Sequence, residues 1–97
     1  MKTLDEIAQI LRSHKTQFHD RYRVKEMGIF GSYARQEQTH TSDVDVLIDY
    51  EQPPTLPLLV ELQEELNTLL EMNVDLVTKN GLKSRIRDRV LAEVIYL

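Results

Sequence analysis

Gly31-Ser32 is followed by ten residues and then by Asp43-Val44-Asp45, and a further acid, Asp75, stands inside Val74-Asp75-Leu76-Val77. Side chains at i and i+2 of a strand project to the same side, so Asp43 and Asp45 stand together. Adjacent carboxylates repel each other and are hard to desolvate, and a strand seldom carries them without a cation. Hard oxygen donors with no His or Cys among them favour magnesium or manganese over zinc. If the strand of Asp75 neighbours the first, three carboxylates converge, enough for two ions about 3.5–4 Å apart. In that scheme Asp43 and Asp45 ligate metal, one ion holding a nucleotide's phosphates and the other activating an acceptor hydroxyl. Asp75 completes the acceptor side as ligand or general base.

The upstream dipeptide supplies the complementary anion site. Gly31 has no side chain, so backbone can approach an anion closely or take a positive φ. Ser32 adds a hydroxyl, and a helix starting here turns N–H groups toward phosphate. Arg35, one helical turn on, either reaches a triphosphate or holds the loop through carboxylates. A lone Gly-Ser is an ordinary turn, and an acidic edge strand is a common guard against aggregation. The combination at this spacing is what carries weight. Asp49 shares the parity of Asp45 but ends the strand and reads as a surface residue, while Tyr33 reads as packing. His14, His19 and His40 are scattered, with no metal-ligand spacing.

Three strands and four helices must position these groups. Thr3-x-x-Glu6 reads as a capping box, followed by Leu4, Ile7, Ala8 and Leu11 at helical spacing, with the helix ending between His14 and His19. Arg21-Tyr22-Arg23 reads as a polar link into a strand over Val24 to Phe30. A short helix follows over Ser32 to Gln36. Val44, Val46 and Ile48 alternate with Asp43, Asp45 and Leu47, which is the period of a strand. Gln52-Pro53-Pro54-Thr55 is a stop and linker, and leucines from Leu58 to Leu70 mark a long amphipathic helix after Pro57. Val74 to Thr78 forms the third strand. Asn80-Gly81 turns, and Leu82, Ile86, Val90 and Val94 suggest a last helix. The order α-β-α-β-α-β-α predicts an α/β (α+β) fold: a small mixed sheet backed by helices.

Ninety-seven residues make a single domain near the small end of what folds alone, with little room for a separate acceptor-recognition module. Cysteine is absent, which excludes disulfides, thiolate metal sites and thiol nucleophiles. The polar, acidic start is unlike a signal peptide, and no apolar run reaches the ~20 residues of a membrane span. The expectation is a cytoplasmic protein without membrane attachment. A net charge of −4 argues against broad coating of nucleic acid. The charge is uneven, because Lys79, Lys83, Arg85, Arg87 and Arg89 crowd the last quarter and Glu61, Glu64, Glu65 and Glu71 crowd the helix before it.

Gly31-Ser32-Tyr33-Ala34-Arg35 through Ser42-Asp43-Val44-Asp45-Val46 resembles the minimal nucleotidyltransferase (MNT) family, a branch of the polymerase β-like superfamily. The family pattern is Gly-Ser, ten residues, Asp-x-Asp and a third Asp in a later strand, met here by Asp75. The resemblance spans nearly the whole chain and implies a minimal nucleotidyltransferase domain over 1–97. It implies magnesium, with manganese as a substitute, and a nucleoside triphosphate, ATP, as substrate. Many small members are antitoxins beside a helical HEPN-domain toxin. For these the family implies transfer of AMP to a toxin tyrosine, which blocks the toxin's RNase activity. The position after Ala34-Arg35 is often glycine in relatives and is Gln36 here, so the loop to Thr41 is expected to differ in shape.

Two other functions remain open on the sequence. One is a binding antitoxin that neutralises its partner stoichiometrically, with nucleotide binding incidental. The other is a small-molecule nucleotidyltransferase that borrows acceptor-binding structure from an oligomer or helper subunit. The wide leucine stripe from Leu58 to Leu70 leaves room for such an oligomeric or hetero-complex surface.

Overall fold

The computed structural model describes residues 2–97. Its elements are α1 (Leu4–Ser13), α2 (Lys15–Tyr22), β1 (Val24–Phe30), α3 (Gly31–Ala34), β2 (Val44–Tyr50), α4 (Leu56–Leu70), β3 (Val74–Thr78), a 3-10 turn (Lys79–Gly81), α5 (Ser84–Glu93) and β4 (Ile95–Tyr96). The strands form one sheet in the order β3-β2-β1-β4. β2 runs antiparallel to β1 and parallel to β3, so the sheet is mixed, as expected. The parallel pair is joined by α4, the usual solution for a crossover connection.

Helix boundaries follow their caps. The Thr3 side chain accepts from the Glu6 N–H and Glu6 accepts from the Thr3 N–H, completing the capping box of α1. Thr55 caps α4 by accepting from the Leu58 N–H at 3.3 Å, with Pro57 in the first turn where its missing N–H costs nothing. Two elements differ from the expectation. The first helix breaks at His14, and a second one runs on through Tyr22, so Arg21-Tyr22 is helical and only Arg23, at φ 61°, is linker. Phe18 and Tyr22, four residues apart, bury one edge of this otherwise polar helix, too narrow a stripe to register in the sequence. The last helix ends at Glu93, leaving Val94 outside, and a fourth strand of two residues follows.

The sheet separates two cores. Val44, Val46 and Ile48 of β2 join Ile29 and Val74 beneath α1, α2 and α4. On the opposite face Leu47 packs with Leu82 and Val90, flanked by Phe30, Val77 and Ile86. Leu47 shares its parity with the acids, and it is buried because α5 covers that half of the acidic face. No helix among the described residues is long and apolar enough to cross a membrane.

Gly28 is what lets β4 lie against β1. A methyl group there stands 2.5 Å from Val94 Cγ2 and 3.1 Å from the Ile95 carbonyl oxygen, inside contact distance. Gly28→Ala is therefore expected to destabilise the fold by about 1–3 kcal/mol through overpacking. It should also raise amide exchange at Leu97, whose N–H donates to Met27 O at 3.0 Å. An unchanged urea midpoint and unchanged exchange would show that β4 is not seated as described.

Candidate active site

The site is built from one row of residues across the sheet. Phe30 ends β1 opposite Asp45, and Asp45 is in turn the register partner of Asp75 in β3. Directly paired residues in adjacent strands share a face, so Phe30, Asp45 and Asp75 stand side by side. Asp43 lies two residues before Asp45, just ahead of β2. Asp43 and Asp75 are exposed and Asp45 is half-buried. The structure thus brings the three acids of the sequence pattern to one end of one face.

Asp45 registers the consequence. Its carboxyl is pushed up from 3.8 to about 6, first by burial, then by the charge of Asp75 and a hydrogen bond with it, then by Asp43, with Arg35 offsetting only part. Among the described residues no group of three or more His, Cys, Asp or Glu side chains is close enough to enclose an ion. The arrangement is a contacting pair, Asp45 and Asp75, with Asp43 near enough for its charge to reach Asp45. Such a donor set fits magnesium, which takes one or two carboxylates plus substrate phosphates rather than an all-protein cage.

Gly31 closes against this pair. It opens α3 at φ 74°, a left-handed conformation that residues with a Cβ rarely adopt, and a Cβ built there falls 2.1 Å from Asp45 Oδ2. Glycine is needed at 31 for both reasons. Its N–H is not open: it donates to Glu93 Oε1 at 3.0 Å. Arg35 donates through Nη1 to Glu93 Oε2 and through Nε to Glu37 Oε1, each at 2.9 Å. Of the two roles the sequence left for Arg35, carboxylate contacts are the one this structure displays. Ser32, half-buried, begins the same single turn, and its carbonyl accepts from the Glu37 N–H at 2.8 Å. Burial opposes the charge on Glu93, yet the Arg35 guanidinium and the Gly31 N–H outweigh it and hold the carboxyl below its ordinary range.

Glu93 is the residue that the sequence did not reveal. It lies 62 positions from Gly31, at the end of a basic helix, and its only local mark is being an acid in the apolar run Val90 to Leu97. The unusual Gln36 is explained too. It keeps a φ of 57°, the left-handed conformation that a glycine would favour, so the loop holds a glycine-like path despite its side chain. Tyr33 is buried in the larger core, in line with packing. Asp49 accepts from the Tyr50 N–H at the strand end, and His40 lines a separate groove with Glu6 and Glu71 that contains none of the site acids.

Comparison with known proteins agrees with this geometry. The profile of the nucleotidyltransferase domain family matches residues 11–97. The protein adenylyltransferase MntA of Thermococcus cleftensis is 50% identical over 97 residues, covering 100% of this chain and 98% of the relative. A solved structure of a candidate minimal nucleotidyltransferase superposes with a TM-score of 0.82 at 34% identity, covering 99% of this chain and 97% of the other. A chain from the complex of a tri-AMPylated Shewanella oneidensis HEPN toxin with its MNT antitoxin shares the fold at a TM-score of 0.63 and 19% identity, covering 96% of this chain and 66% of that one. The chain belongs to the nucleotidyltransferase domain family, and its resemblance to the minimal nucleotidyltransferases stands.

Two substitutions test the geometry without any substrate. Gly31→Ala combines left-handed strain with a clash on Asp45, and should cost about 2 kcal/mol or more in urea unfolding. Ser32→Ala at the next position should remain close to wild type. Asp45→Asn works in the opposite direction. A carboxyl with a folded pKa raised above its unfolded value contributes stability that is fully present below the unfolded pKa and is lost as pH rises through the folded one. For Asp45 that window runs from 3.8 to about 6. In metal-free buffer the melting temperature of Asp45→Asn should therefore gain on wild type as pH rises through that window and hold its lead above it. A constant difference between the two proteins from pH 3 to 8 would contradict the crowding of Asp45 by its neighbours.

Proposed function

We propose that this chain transfers AMP from ATP to the phenolic hydroxyl of a tyrosine on a HEPN-type toxin partner, and so acts as that toxin's antitoxin. The observation that best supports this reading is the register seating Asp45 beside Asp75, with the Gly31 turn against the same carboxylate. A tightly approached backbone turn and convergent hard oxygen donors suit a triphosphate and its divalent cations. The relative named a protein adenylyltransferase, alike over its full length, supports AMP as the group transferred and a protein as the acceptor.

The roles follow from position. Gly31 and Ser32 form the anchorage for the triphosphate. Asp43 and Asp45 hold magnesium, or manganese in its place, and Asp75 completes the acceptor side. When bound, two such ions neutralise the charge on the phosphates and on the attacking oxygen. The acceptor oxygen bonds to the α-phosphorus as the bond to the pyrophosphate oxygen breaks. Pyrophosphate leaves, and the phenolic proton passes to Asp75, exposed at the edge strand, and from there to water. Glu93 and Arg35 act at one remove by fixing the glycine turn. The protein's contribution is mainly positioning and charge.

A binding antitoxin is the second reading, and one observation favours it: the Gly31 N–H is already bound to Glu93 and is not free for phosphate. One experiment separates the two. With α-labelled ATP, magnesium and the HEPN partner, label should appear on the partner. Asp43→Asn with Asp45→Asn should cut it about 100-fold or more, the scale set by removing preorganised charge stabilisation. EDTA should abolish the labelling and excess magnesium restore it. If the double variant still neutralises the toxin's RNase activity in full, the transfer reading is wrong and stoichiometric binding takes its place.

A further inference from the structure

The acidic face of the sheet is only partly covered. Beside the core around Leu47, a cleft of about 310 Å³ lies between β3 and the start of α5. Phe30, Val77, Leu82 and Ile86 give it apolar walls. Its lining also contains Asp75 from the acid row, and Lys83 and Arg85 are exposed along it. We propose that this cleft is the acceptor subsite: it receives the ring of a tyrosine flanked by acidic residues and presents the phenolic oxygen to Asp75. The inference rests on the transfer reading above and names where, and in what sequence context, the acceptor binds.

Three observations support it. First, the lining matches the ligand, since a phenol is a flat hydrocarbon ring with one polar tip and the cleft sets four apolar side chains beside one carboxylate, with Lys83 and Arg85 along it. Ligand sites are commonly of this kind, with few polar groups in a largely apolar wall, and about 310 Å³ is at the small end of their range. That space suits one aromatic side chain better than a nucleotide with its triphosphate. Second, the position is right. The glycine turn assigned to the triphosphate follows β1 and sits over Asp45, whereas Asp75, Val77 and the start of α5 form the cleft's wall on the β3 side, with Phe30 of β1 facing them. A ring held against the β3 wall therefore meets the acid pair at Asp75, while the glycine turn meets it at Asp45.

Third, the charge is complementary. The chain carries a net −4, yet Lys83 and Arg85 line the cleft, and Lys79, Arg87 and Arg89 lie close to them in sequence. Among the described residues none of these five forms an ion pair within 4.0 Å. Unpaired cations at the rim of an apolar pocket steer and select an acidic segment. The rim lacks interleaved aromatic rings, so it does not provide a stacking track for single-stranded nucleic acid. In the transfer step the O–H proton moves to Asp75 while the phenolic oxygen gains its bond to phosphorus and pyrophosphate departs.

Methyl NMR on the full chain, labelled at Ile, Leu and Val, tests the cleft without catalysis. The probes are a capped tripeptide of glutamate, tyrosine and glutamate, its phenylalanine counterpart, and a non-hydrolysable ATP analogue with magnesium. The tyrosine peptide should shift the Ile86, Leu82 and Val77 methyls saturably, and should bind about tenfold more tightly than the phenylalanine peptide, the value of one hydrogen bond to a charged group. Lys83→Glu with Arg85→Glu should weaken the acidic peptide about tenfold as rim charges reverse, with binding of the ATP analogue unaltered. Ile86→Asp, checked for folding by its amide spectrum, should abolish the peptide shifts. Shifts confined to another surface, such as exposed Leu56 and Val60, overturn the proposal. So do cleft shifts caused by the ATP analogue and not by the peptide, which would make this the base site. Peptide binding in the cleft without any AMP transfer to the partner would uphold the cleft and defeat the transfer reading. Transfer to the partner with no cleft shift would do the reverse.

Discussion

Two carboxylates held in register across parallel strands are an electrostatic liability, and the local structure is organised around that liability. Asp45 faces Asp75 because β2 and β3 pair in one register, and the register is set by the opposite face. There Val44, Val46 and Val74 must stay in the larger core, and a slip of one residue would drive them into water and turn the acids inward. The hydrophobic core therefore enforces a contact that the charges oppose. A folded protein retains such an arrangement most readily where a cation relieves it, and that links the core to the proposed chemistry.

The glycine turn is governed by the same pair. Gly31 occupies the space directly over Asp45, and only a residue without a Cβ fits there. Glu93, reaching from the end of α5, holds the turn by its N–H and fixes Arg35 with its other oxygen. Both contacts determine how close the backbone stays to the acid pair. Because α5 also covers Leu47 and forms one side of the cleft, a single helix couples the glycine turn, the second core and the proposed acceptor side.

Much of this was legible in the sequence where a periodic pattern or a cap carried it. The alternation of Val44, Val46 and Ile48 placed β2, and Thr55 with Pro57 placed the start of α4. The spacing of Gly31-Ser32 and Asp43-Val44-Asp45 marked them as one site, and the antiparallel pairing of β1 with β2 is what brings them together. The remainder depended on tertiary contacts with no local trace. β4 is two residues long and exists because Gly28 leaves room for it. α2 is polar apart from Phe18 and Tyr22. Glu93 finds Gly31 only once α5 folds back over the sheet, and the same packing buries Leu47 on a face whose parity suggested solvent.

The most direct test of the central claim is where a paramagnetic cation settles. In amide NMR with substoichiometric Mn²⁺, the carboxylate pair and the turn against it should form the preferred site. Signals of Asp43, Val44, Asp45, Asp75, Gly31 and Ser32 should broaden first, and Asp45→Asn should remove that preference. Broadening that begins instead along the acidic surface of α4, at Glu61, Glu64 and Glu65, would contradict the account.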